Sequence, residues 1–153
     1  MAKQKPVFTL KTCGIHSSWD ETSKNLPKIK AFTHEVPAKI DIEFGYILNV
    51  QKGKGIKLDY CIYHPDIPDD NGRVMAPFDG EVYVRNSDWD FYLGDTIWAP
   101  IENKIGPWRI VIKWQDRIVA DELFNVIKDE DSEQNYYQQL SPTFGKRRKT
   151  ARK

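Results

Sequence analysis

No apolar run in this chain approaches the roughly 20 residues that cross a bilayer, so no membrane partner is expected. Cysteine is scarce, with two in 153 residues. The first residues, MAKQKPVFTLK, hold neither a continuous apolar stretch nor a small-residue cleavage site, so they do not read as a secretory signal. These absences lead to the expectation of a cytoplasmic protein with free thiols. A chain of this length buries about two thirds of its unfolded surface without help from a metal or a disulfide.

Signatures of chemistry are missing too. There is no G-x-S-x-G elbow, and GKG at 53–55 lacks the spacing of a phosphate loop and lies between two strand-like stretches. His16, His34 and His64 with Cys13 and Cys61 are ingredients without a local arrangement. The expectation is a non-enzymatic protein with no catalytic residue and no cofactor. No segment keeps a 3.6-residue apolar period over three turns, and no internal repeat is present.

What is present is alternation. In residues 40–50, Ile40, Ile42, Phe44, Tyr46, Leu48 and Val50 share one face, and Asp41, Glu43 and Asn49 the opposite one. In residues 107–115, Trp108, Ile110, Ile112 and Trp114 oppose Arg109, Val111 and Lys113. Further strands are expected at about 7–16, 30–36, 56–64, 80–86, 90–98 and 118–127, with turns at 53–55, 65–72, 86–88 and 115–117. Seven to eight short strands with frequent turns predict an all-β antiparallel sandwich. Phe44, Tyr46, Leu58, Trp108, Ile110, Ile112 and Phe124 are the expected core.

The charge is split. Residues 146–153, KRRKTARK, carry six basic side chains and no acid, which leaves 17 basic against 22 acidic residues in 1–145. The polar stretch 128–145 has no sustained apolar period, so the sandwich is expected to span 1–127, followed by a polar linker and a disordered or extended basic tail at 128–153. Lys146, Arg147, Arg148, Lys149, Arg152 and Lys153 form a candidate polyanion-binding segment, and Tyr136 and Tyr137 could stack on exposed bases, favouring single strands or RNA. A solubilising terminus, or contact with the acids at 129–133, is the plainer alternative for the tail.

Two C-x-x-H stretches, CGIH at 13–16 and CIYH at 61–64, raise the question of a Cys2His2 zinc site. Side chains three apart on a strand point to opposite faces. Cys61 falls with Lys57, Asp59 and Tyr63, and His64 with Leu58, Tyr60 and Ile62, so the pair diverges and no structural metal is expected. The loop PDIPDDNG at 65–72 offers Asp66, Asp69, Asp70 and Asn71, but Pro68 stands where a calcium loop needs a ligand, which leaves an ordinary turn. Aromatics cluster in NSDWDFYLGDTIW; Trp89 and Trp98, next to loops, are candidate interface residues, with core packing as the plainer reading.

VPAKIDIEFG at 36–45, GPWRIVI at 106–112 and ELFNV at 122–126 resemble an uncharacterised bacterial family, a domain of unknown function with an immunoglobulin-like sandwich. The resemblance covers about residues 7–127 and implies an immunoglobulin-like fold, with Gly106 and Trp108 opening the penultimate strand and Phe124 and Val126 closing the last. It carries no catalytic residues. The expected function is protein binding by a sandwich, within a larger assembly or alone, and the alternative is RNA or DNA contact through the basic tail.

Overall fold

The structure, a computed structural model, describes residues 5–19 and 25–128. Alternation becomes nine strands among the described residues: β1 (Val7–His16), β2 (Ile29–Phe32), β3 (Glu35–Pro37), β4 (Glu43–Gln51), β5 (Lys57–Tyr63), β6 (Phe78–Tyr83), β7 (Asp88–Thr96), β8 (Gly106–Trp114) and β9 (Arg117–Ile127). Four of them, in the order β2-β1-β4-β7, form one sheet; β3-β9-β8-β5-β6 form the other. Apart from one short 3-10 turn at Glu102–Lys104 no helix is described. The chain is an all-β sandwich.

The seven residues expected in the core are all fully buried. Phe44 meets the edges of Trp108 and Phe124 at 5.3 and 5.5 Å between ring centroids. The two polar tips in this layer are satisfied: the Trp108 indole N–H donates to the Lys104 carbonyl at 2.8 Å, and the Tyr46 hydroxyl donates across the sheets to the Ile110 carbonyl at 2.9 Å. The β8–β9 turn puts Gln115 and Asp116 at φ 52° and 67°, the two left-handed residues of a tight hairpin whose twist suits antiparallel strands.

Three expectations need correction. The single strand at 30–36 is two, because the chain bends at Thr33 and His34, where the Thr33 hydroxyl accepts the Glu35 N–H at 3.0 Å. β2 stays with β1, while β3 crosses to the other sheet and runs parallel to β9, an exception in a sandwich otherwise antiparallel. The strand expected from residue 40 begins at Glu43: Asp41 takes φ 74°, and Ile40 is exposed rather than facing the core.

The third correction concerns the polar face of β4. Alternation sets Glu43 and Asn49 on the face opposite the core, where polar side chains normally meet water, yet they are only 4% and 8% exposed. β4 lies between two long strands, β1 and β7, and side chains from those neighbours close over it. Burial on an outer face depends on these long-range neighbours, which local alternation does not report.

Candidate functional site

Over β4 and β7 the outer face of the four-stranded sheet is closed by its own polar network, while Phe32 on the edge strand β2 stays exposed. Tyr92 and Thr96 on β7 donate to the two oxygens of Glu43 at 2.5 and 2.6 Å. Burial holds the Glu43 carboxyl above its usual range, opposed by these two hydrogen bonds. His16 and Trp19 pack edge-on against Tyr92, each at 5.1 Å. Gly45 and Gly94 stand opposite each other in register. A Cβ on Gly94 would lie 2.2 Å from the Phe44 carbonyl and 2.3 Å from the Tyr92 hydroxyl, so the missing side chain is what lets Tyr92 cross to Glu43. Asn49 is tied likewise, donating to Asp88 and Asp90 at 2.8 Å each.

The outer face of the five-stranded sheet is largely open to solvent, with Val111 buried at its centre. Pairing sets Lys57, Asp59, Cys61 and Tyr63 of β5 beside Tyr83, Glu81 and Asp79 of β6 on one side and Lys113, Val111 and Arg109 of β8 on the other. Of the exposed large apolar side chains, Tyr63, Tyr83, Ile118 and Leu123 belong here. A depression of about 460 Å³ runs between Cys61, Tyr63, Asp79, Glu81, Val111 and Lys113. Arg109 donates two parallel hydrogen bonds to Asp121, at 2.8 and 2.6 Å, and lies 5.7 Å from the Tyr63 ring centroid. Lys57 reaches Glu81 at 3.3 Å. Exposed pairs of this kind add little to folding.

A third group sits on the flank between the sheets. Cys13 on β1 pairs with Tyr46, and Glu122 on β9 pairs with Ile110, so both look inward. His34 joins them from the bend between β2 and β3, held by its carbonyl, which accepts the Asn125 N–H at 2.7 Å. His34 Nε2 lies 2.8 Å from Glu122 Oε1 and 3.5 Å from Cys13 Sγ, and the thiol donates to the same oxygen at 3.7 Å. Burial, then the Glu122 carboxylate, push the Cys13 thiol up to about 12. A Cβ on Gly14 would meet the Ala31 carbonyl at 2.0 Å, so glycine beside Cys13 lets β2, and the bend that follows it, lie close.

The structure separates both C-x-x-H pairs. Cys61 lines the outer depression, while His64 stacks inward on Phe78 at 4.5 Å. His16 turns to Thr12 and Tyr92, away from Cys13. The histidine that does meet Cys13 is His34, 21 positions away, which no spacing motif connects. In the 65–72 loop, Asp69 Oδ1 accepts the N–H groups of Asn71 and Arg73 at 2.8 and 2.9 Å, the turn-making use of an aspartate.

Trp89 stacks on Phe91 at 5.4 Å, and Trp98 lies edge-on to Trp108 at 6.3 Å with the Lys104 ammonium 4.2 Å from its ring centroid. Both are half-buried against the core. Tyr136, Tyr137, Lys146, Arg147, Arg148, Lys149, Arg152 and Lys153 lie outside the described residues. Tyr63, Arg109 and Leu123 were not singled out from the sequence, although the alternation that buries Ile62, Trp108 and Phe124 turns these neighbours outward.

A family model described as a domain of unknown function, DUF3859, matches residues 4–126. No curated protein matches the chain. Among solved structures, an immunoglobulin-like protein from Pseudomonas aeruginosa is similar at a TM-score of 0.68 and 20% identity, covering 82% of this chain and 99% of that one. Similarity at that identity establishes the immunoglobulin-like fold.

Proposed function

The chain belongs to the DUF3859 family, and from that premise we propose that it is a cytoplasmic, non-enzymatic protein-binding module whose recognition surface is the outer face of the five-stranded sheet. One observation carries the reading. That face leaves Tyr63, Tyr83, Ile118 and Leu123 exposed, with Tyr63 lining a depression and Arg109 clamped beside it, and no described element covers them. Tyrosine and arginine are the residue types that dominate interface energetics. The edges favour the face by contrast. β7 carries Asp88, Asp90 and an inward Asp95, and β6 is six residues long with Asp79 and Glu81, both devices that discourage strand addition.

The partner that fits is a folded protein that presents a cation to Asp59, Asp79 and Glu81 in the lining of the depression and an apolar side chain to Tyr63 and Val111. Affinity capture from the native cell with the full chain, with residues 1–128 and with a Tyr63→Ala/Leu123→Ala variant tests this. The expected result is one partner in stoichiometric amount with the first two and its loss with the third, at unchanged melting temperature. A partner that the double variant retains, or that needs the tail, overturns the reading.

The basic tail supports a second reading, RNA or DNA contact through Lys146, Arg147, Arg148, Lys149, Arg152 and Lys153, on its composition alone: six cations in eight residues bind phosphates with strong salt dependence. Absence of retention on RNA or DNA at low ionic strength removes it.

A further inference from the structure

We propose that Cys13, His34 and Glu122 form a binding site for a zinc ion, with the fourth coordination position open to water on the flank of the sandwich. The donor set is one thiol sulfur, one imidazole nitrogen and one carboxylate oxygen. A thiolate with imidazole selects zinc or a neighbouring transition metal and disfavours calcium and magnesium, which take oxygen ligands.

The spacing matches a tetrahedral ion. Bond lengths of about 2.3 Å to sulfur and about 2.05 Å to nitrogen and oxygen place sulfur roughly 3.6 Å from either light atom, and nitrogen roughly 3.3 Å from oxygen. The observed separations are 3.5 Å for sulfur to nitrogen, 3.7 Å for sulfur to oxygen and 2.8 Å for nitrogen to oxygen. Two of the three need no adjustment. The third opens by about 0.5 Å, which the His34 ring can supply because it stands on a bend with its side chain 53% exposed. Among the described residues this is the one group of three histidine, cysteine or acidic side chains whose ligand atoms converge in this way.

The surroundings suit a held ion. Cys13 and Glu122 are anchored on strands of opposite sheets, and the His34 ring packs on Phe124 at 5.4 Å. Glu122 is 27% exposed on its side chain, so ion and water enter from the His34 side while Tyr46 and Phe124 close the interior. His34 Nε2 and the Cys13 thiol both address one carboxylate oxygen, Glu122 Oε1. A cation among the three replaces that shared contact, the thiol releasing its proton to solvent as sulfur binds. Three protein ligands leave one tetrahedral position for water or a donor from another molecule.

The test is a zinc titration of the full chain, first stripped with chelator and kept reduced, against a chromophoric competitor. One equivalent of zinc is expected. Cys13→Ser, His34→Gln and Glu122→Gln should each weaken binding by more than the roughly 100-fold upper end for loss of a residue that only supports a ligand, and Cys61→Ser should leave it unchanged. Cobalt(II) should give a sulfur-to-metal charge-transfer band in the wild type and in Cys61→Ser but not in Cys13→Ser. Because His34 is exposed, its variant should retain the fold, which circular dichroism checks. No zinc uptake, or equal uptake by wild type and His34→Gln, means a hydrogen-bonded cluster only and overturns the proposal.

Discussion

The two outer faces of the sandwich are built from the same period-two pattern and end in opposite states. On the four-stranded sheet, Glu43 and Asn49 are sealed under neighbouring side chains, with Tyr92, Thr96, Asp88 and Asp90 answering them. On the five-stranded sheet, Lys57, Asp59, Tyr63 and Arg109 stay in water. Polar groups on the first are bonded because burial makes an unpaired one costly; on the second, water and exposed ion pairs such as Arg109 with Asp121 share that work. Sequence changes on the first face should therefore be read in stability, and those on the second should leave it nearly unchanged.

Removing the layer that both faces rest on sets the scale. Trp108→Ala should cost about 3–5 kcal/mol through the cavity it leaves, and a denaturant midpoint unchanged by it would remove Trp108 from the core. On the closed face, Tyr92→Phe deletes the hydroxyl that donates to Glu43, leaving that buried carboxylate one partner short. A loss of about 1–3 kcal/mol is expected in denaturant unfolding; a loss like that of an exposed tyrosine would show that the network is not sealed.

A pH experiment sharpens the contrast further. Burial pushes the Asp95 carboxyl up to about 6, against the opposing Thr96 N–H. An acid raised on folding favours the folded state when protonated, so its contribution is fully present below the unfolded value of about 3.9 and is lost as pH rises through about 6. In Asp95→Asn, whose amide oxygen can still accept the Thr96 N–H, the gain in stability over wild type should be larger at pH 7 than at pH 3. A gain independent of pH would place Asp95 in water. The smallest effect belongs to the open face: Tyr63→Ala and Leu123→Ala should each change stability by no more than about 0.5 kcal/mol, measured by thermal unfolding.

The core was legible in the sequence because alternation is a local property. Trp108, Ile110 and Ile112 recur at every second position, and any sheet that buries one buries all three. The break at Thr33 and His34 was not legible, since residues 29–37 are equally able to extend throughout, and what divides them is the parallel partner that β9 offers to β3. Nor was the burial of Glu43, which needs Tyr92 to cross over Gly94. Cys13 drew attention through the wrong partner. The three-residue spacing to His16 is the one a zinc hook uses on a turn, and on an extended strand it sends the two side chains apart, whereas His34 reaches Cys13 through the fold.

Cys13, His34 and Glu122 also record the order in which the molecule can be assembled. Their separations along the chain are 21, 88 and 109 positions, and distant segments meet late because loop closure must precede the contact that rewards it. β1 and β2 can bring Cys13 and His34 together early, but Glu122 arrives only when β9 docks between β8 and β3. In refolding, a probe of this cluster would therefore keep time with the closing of the whole sandwich, while a probe in the β8–β9 hairpin would run ahead of it.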